Sequence, residues 1–306
     1  MNIDSIQIHF NESAQGALEV ILAFVMFSIA IDTSVKDFRS IVYQWKAVSV
    51  GVLAQFILFP ALTFLLVTLL LSLDFALYPS AILGMYLLAA CPGGNMSNFL
   101  SHMAGGNTPL SVLLSAISTL TAVISIPLNF KFWASKTPET AALINEVSLS
   151  FWDLASSVVI LLVIPMIVGL IFQRIFPNFV NKYKGIIKKI ASFCFVALTV
   201  GAFIANWRNF LDYIHYVALI VILQNVLAFF TGYWWAKSAR LSERDCRTIS
   251  IETGIQNSGL GLLLALKFFP DMGGAALVAA WWSIWHAIAG GSLAIYWNKI
   301  KPLKTQ

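Results

Sequence analysis

Of the 306 residues, 59% are hydrophobic and only 11% are charged, with a mean hydropathy of +0.82 and a formal net charge of +5. Such a chain is too apolar for a water-soluble domain and reads as an all-α polytopic membrane protein. No basic patch belongs to a soluble fold that would bind nucleic acid, and Cys91, Cys194 and Cys246 suggest neither a disulfide framework nor a zinc site.

From the first residue onward, the organisation is that of one membrane transporter domain covering 1–306. Residues 1–16 include Asp4 and Glu12 but no Lys or Arg. The positive n-region of a cleaved leader is therefore missing, and a short outer segment is expected to precede an uncleaved first span. Asn11, Glu12 and Ser13 form a glycosylation sequon on that side, meaningful only in a secretory host. Apolar stretches predict nine spans, at about 17–35, 47–72, 80–103, 109–131, 151–173, 190–206, 214–236, 249–269 and 274–297, with a short tail at 298–306.

An odd count puts the two ends on opposite sides, and the basic residues say which. Lys36, Arg39 and Lys46, then Arg174, Lys182, Lys184, Lys188 and Lys189, then Lys237, Arg240, Arg244 and Arg247, and finally Lys299, Lys301 and Lys304 share one face. Only Lys131, Lys136, Arg208 and Lys267 fall on the other. The excess marks the cytoplasmic side, so the N-terminus is expected outside and the C-terminus in the cytoplasm, in the inner membrane if the host is a bacterium.

Two spans are interrupted. CPGGNMSN, residues 91–98, places Pro92, Gly93 and Gly94 in the third, where they break the helical ladder. SIETGIQNSGLG, residues 250–261, interrupts the eighth and contains Glu252, the acidic residue placed deepest in the bilayer. Gly94, Asn95, Met96, Ser97 and Asn98 share a glycine-then-polar grammar with Gly254, Ile255, Gln256, Asn257 and Ser258. The interruptions lie five spans apart, so their helices run in opposite directions, as in an inverted-topology repeat whose broken helices cross near the midplane. Gln55 and Gln224 precede them at matching places in the second and seventh spans. Nine spans then mean a first repeat without its opening helix. Broken backbone survives at membrane depth only when buried in protein or lining a wet cavity. Its free oxygens suit a hard cation, whereas half-helix N-termini attract an anion.

CPGGNMSN, GNTPLSVLLSAIST, RTISIETGIQN and WHAIAGGSLAIYW, with VMFSIAIDTSVKDFR and VGVLAQFILFPA before them, resemble the bile acid:sodium symporter family over nearly the whole chain. The arrangement is similar to the nine-span animal-type members. The resemblance implies a panel of helices rocking against a core, two coupling Na+ ions and a small organic anion between panel and core. One sodium site would use Ser97, Asn98, Ser111, Ser115 and Glu252. The other would use Gln55, Glu252, the carbonyls of Thr253 and Ile255, and Gln256. Asn95, Asn257 and His286 match positions that face substrate. His286 is followed by Ala287 where several bacterial relatives carry asparagine, so a smaller carboxylate such as pantoate or a keto acid stands beside a bile acid as expected cargo.

On the residues alone, blander roles compete. Ser97 and Asn98 also suit helix-to-helix glue, and Ser111 and Ser115, four apart on one face, also suit close packing. Trp281, Trp282, Trp285 and Trp297 read as interface anchors and packing. A carboxylate deep in the membrane usually marks an ion or substrate path. The expected function is thus a sodium-coupled symporter importing an organic anion by alternating access, with membrane lipids as surroundings and no obligatory protein partner. Proton coupling and a ligand-binding relative without flux are the alternatives. An intramembrane enzyme is disfavoured, because no second acid or nucleophile-base pair accompanies Glu252.

Overall fold

The computed structural model describes residues 3–5, 12–31, 35–94, 96–147, 150–205 and 207–300. Its described elements are helical: a 3-10 turn at Ile3–Ser5, α1 (Glu12–Ala30), α2 (Val35–Leu53), α3 (Phe59–Ser72), α4 (Pro79–Ala90), α5 (Met96–Met103), α6 (Thr108–Lys136) and α7 (Pro138–Val147). There follow α8 (Phe151–Val158), α9 (Ile164–Ile175), α10 (Pro177–Ala205), α11 (Trp207–Ser238), α12 (Glu243–Gly254), α13 (Ser258–Phe268) and α14 (Gly273–Ile300).

Local chemistry explains many of the boundaries. The Asn107 side chain caps α6 by accepting from the Leu110 amide at 3.2 Å. Ser150 and Asp153 form a reciprocal capping box at the start of α8, and Ser242 caps α12 ahead of Glu243 and Asp245, whose charges favour a helix N-terminus. Two π-helical turns, Ala54–Leu58 and Val159–Val163, join α2 to α3 and α8 to α9. Each lies just before a proline, Pro60 or Pro165. A proline ring cannot sit against the carbonyl four residues back, so the ladder widens. The amides of Phe59 and Ile164 accordingly reach back five residues, to the carbonyls of Ala54 and Val159.

Among the described residues, five helical runs are long and apolar enough to cross a membrane: Gln44–Ser72, Thr108–Lys136, Phe151–Ile175, Leu211–Ser238 and Gly273–Lys299. Gln15–Ala30, Pro79–Ala90 and Ser258–Phe268 are shorter apolar helices. The short ones matter most for position. Residues 80–90 of α4 are buried throughout, as are Leu260, Leu263, Leu264 and Ala265 of α13. The long helices around them turn apolar side chains outward, including Leu65, Leu69, Ile124, Leu128, Ile167, Ile171, Phe230 and Trp234. Helices apolar on both faces suit hydrocarbon surroundings rather than water.

Two groups of helices emerge. α1, α9 and α10 pack on one another, while α4, α5, α12 and α13 are held among α6, α11 and α14. The bundle has two polar ends. At one, the Asp4 carboxylate accepts the Ser80 amide at 2.9 Å at the start of α4. At the other, Arg247, almost fully buried, donates to the carbonyls of Ala104 at 2.9 Å and Trp297 at 3.3 Å and lies over the Trp297 ring. Trp282 is buried and tilts against Phe59, a packing role.

Candidate functional site

The site is built where two helices stop. α4 ends at Ala90 and α5 begins at Met96; α12 ends at Gly254 and α13 begins at Ser258. The unwound segments satisfy each other. The Gly94 amide donates to the Ile255 carbonyl at 2.6 Å, the Asn257 amide donates to the Pro92 carbonyl at 2.9 Å, and Gly93 and Gln256 form an antiparallel bridge. Buried backbone needs partners, and here each break supplies the other's. Glycine is required by this approach: a methyl on Gly94 would stand 2.6 Å from the Gln256 carbonyl oxygen, and one on Gly93 2.9 Å from the Glu252 carboxylate.

Glu252, near the end of α12, gathers the first set of predicted residues. Ser97 donates to its Oε1 at 2.7 Å, Ser115 to its Oε2 at 3.0 Å, and Ser111 also bonds Oε1. The Asn98 side-chain Oδ1 stands 2.8 Å from the Ser111 hydroxyl and 3.4 Å from that of Ser115. The result is an all-oxygen cluster from α5, α6 and α12. Three hydroxyl protons are shared among more acceptor positions than they can fill, which leaves lone pairs converging beside a buried carboxylate. Such a set matches a hard cation of low charge. Among the described residues no three His, Cys, Asp or Glu side chains assemble into a transition-metal site.

The second predicted set is linked differently. Gln55, on the π-helical turn before α3, donates Nε2 to the Gln256 Oε1 at 2.8 Å and to the Cys91 carbonyl at 2.9 Å. Gln256 in turn donates to the Thr253 carbonyl at 2.6 Å. The Ile255 carbonyl faces the Gly94 amide across the bridge. Gln55, Thr253 and Gln256 are thus brought together, while the hydrogen bonds of Glu252 go to the hydroxyls of the first set. On the far side of the same break, the Asn225 amide donates to the Gly254 carbonyl at 2.8 Å. Gln224, the sequence counterpart of Gln55, instead donates to the Met85 carbonyl at 2.8 Å.

Of the predicted substrate-facing residues, Asn95 lies outside the described residues. Asn257 is buried and caps α13 by accepting the Leu260 amide at 3.1 Å. His286 is buried on α14, one turn beyond Ser283, whose hydroxyl meets that of Ser258 at 2.8 Å at the start of α13. Between the two helix groups lies a cavity of about 30 Å³, lined by Asn98, Ser115 and Thr119 on one side and by Met26, Met166 and Leu170 on the other. Asn98 and Ser115 therefore belong both to the oxygen cluster and to the cavity wall.

Asn225 and the bridge between the breaks escaped the sequence reading. An asparagine in an apolar helix carries no sign of its partner, and the pairing of Gly93 with Gln256 is a tertiary fact. The π-helical turn under Gln55 had a usable signal in Pro60.

The model of the Sodium Bile acid symporter family matches residues 19–213. Over 284 residues the chain is 31% identical to the uncharacterized sodium-dependent transporter YocS of Bacillus subtilis (strain 168), covering 92% of this chain and 83% of that one. It is 33% identical to the probable sodium/metabolite cotransporter BASS2, chloroplastic, of Oryza sativa subsp. japonica, covering 90% of this chain and 62% of the rice protein. With the corresponding BASS1 protein of Arabidopsis thaliana the identity is 30%, over 92% of this chain and 66% of the other.

Proposed function

The chain belongs to the sodium bile acid symporter family, a family of sodium-dependent transporters rather than enzymes, and on that premise we propose that it imports an organic anion by sodium-coupled alternating access. The observation that carries this reading is the oxygen cluster on Glu252, because it opens on the cavity between the two helix groups through Asn98 and Ser115. An ion held there would draw α5, α6 and α12 together and shape the wall that a cargo touches, so ion and cargo affinities would be coupled.

In this proposal the first Na+ site comprises Ser97, Asn98, Ser111, Ser115 and Glu252. The second comprises Gln55, Glu252, Gln256 and the carbonyls of Thr253 and Ile255. One carboxylate shared by two Na+ leaves about one positive charge unbalanced, which an anionic cargo neutralises. Asn95, Asn257 and His286 are the proposed cargo contacts, and the cargo is a bile acid or a smaller carboxylate. The helix ends at Gly254 and Ser258 fit this division: carbonyls for cations, amides for the anion. Nine spans, two of them assembled from α4 with α5 and α12 with α13, complete the proposal. The end holding Arg247 faces the cytoplasm, as the charge bias along the chain supports.

The test is thermal stability of the purified protein in sodium against potassium or choline, with bile acids, pantoate and keto acids added to each. A sodium-specific rise that one anion enlarges, together with sodium-driven uptake of that anion, is the expected result. Anion uptake that follows pH in sodium-free buffer would overturn sodium coupling in favour of protons. Binding without flux would overturn transport.

A further inference from the structure

Away from the oxygen clusters, a lysine of α13 bonds to α8, whose continuation α9 belongs to the helix group across the cavity. Lys267 is exposed in the last turn of α13, and its Nζ donates to the Ser157 hydroxyl of α8 at 3.0 Å. Ser157 is buried, and its own proton goes to the Asp153 carbonyl at 2.9 Å, so its oxygen is turned to accept. Past the π-helical turn, α8 continues into α9, whose Met166 and Leu170 line the cavity opposite Asn98 and Ser115. One continuous run therefore rests on α6 at its α8 end and stands off from it along α9. The Lys267 contact lies where it rests.

Position along α13 adds a second point. The helix starts at the break, beside Asn257, and reaches Lys267 near its far end; at 1.5 Å per residue that is about 14 Å. A cation in a last turn complements the helix dipole. The dipole does not require a hydrogen bond to another helix. A neutral hydroxyl carries no charge to offset the ammonium, whereas a carboxylate does. Exchange of Ser157 for a carboxylate adds a Coulombic attraction that the hydroxyl lacks.

We propose that Lys267 receives the carboxylate of the incoming organic anion when α8 withdraws from α13, and is capped by Ser157 when the two helices close on each other again. The inference rests on the symporter reading and deepens it, by naming the charge that first meets the cargo.

The experiment uses the full-length protein in proteoliposomes under an inward sodium gradient, with labelled taurocholate, pantoate and pyruvate. Lys267→Gln is expected to raise KM for the transported anion about tenfold, with kcat and sodium half-saturation near wild type. Lys267→Arg should restore KM to within about twofold. In a Cys194→Ser background, Ser157→Cys with Lys267→Cys, bridged by a short reversible thiol linker, should stop uptake until reductant returns it to the level of Lys267→Gln. An unchanged KM in Lys267→Gln, or full uptake by the bridged protein, overturns the proposal while leaving the symporter reading in place. No sodium-driven uptake of any of the three by wild type overturns both.

Discussion

The two oxygen-rich regions beside the breaks meet at the end of α12 and hold themselves together in opposite ways. Around Glu252, three hydroxyls converge on a carboxylate; around Gln55, amides bond to each other and to the ends of the broken backbone. The first region carries a charge and lacks enough protons, so it gains most from a cation. The second is neutral and satisfied internally, so an ion there must displace hydrogen bonds that already exist. The difference teaches that the two proposed sodium sites, sharing one carboxylate, need not be filled with equal ease. The hydroxyl cluster is expected to fill first and to fix Glu252 for the amide cluster.

That ordering can be broken most severely at the shared residue. Glu252→Gln keeps the shape and removes the charge, so sodium-driven uptake should fall more than about a hundredfold and the sodium-specific thermal shift should vanish. Retained uptake would end the comparison, since neither region would then depend on the carboxylate. Gly94→Ala attacks the frame common to both. Its methyl would press on a backbone oxygen that cannot rotate away, and a stability loss of about 1–3 kcal/mol with loss of uptake is expected from thermal unfolding and flux assays.

Finer substitutions separate the regions. Ser111→Ala removes a hydroxyl from the first, and sodium half-saturation of uptake should rise about tenfold. Gln55→Ala leaves the Glu252 hydroxyls intact, so it should retain sodium-specific stabilisation at the first cluster while the sodium dependence of uptake loses its cooperativity. Equal effects of both on the stabilisation curve would show one merged site. The smallest effect is expected from Asn225→Leu, which strips the Gly254 carbonyl of its donor outside either cluster. About 1–2 kcal/mol of stability and a few-fold loss of uptake should follow, read from denaturation and initial rates.

Much of this was legible in the sequence because breaks announce themselves. Pro92, Gly93 and Gly94 in an apolar run have little use except unwinding, and Glu252 is the sole acidic residue of its span. The hydroxyls were less legible: Ser111 and Ser115 have a spacing that packing would also produce, and only the fold brings Glu252 to them. Pairing across the chain was illegible for a physical reason. Hydrogen bonds such as Asn225 to Gly254 and Lys267 to Ser157 depend on where helices lie beside each other, and a residue's neighbours in sequence carry no record of that.

The bridge between the breaks also bears on how the protein is made. As the chain leaves the ribosome, residue 94 enters the membrane long before residue 255 exists, so the Gly94 amide begins without its eventual partner. An unpaired peptide group is costly in lipid. Until the second break arrives, the first needs water or other protein groups to satisfy its backbone. Closing this backbone pair therefore requires both breaks to be present, and a chain truncated before residue 255 lacks the partners of the Gly94 amide and the Pro92 carbonyl.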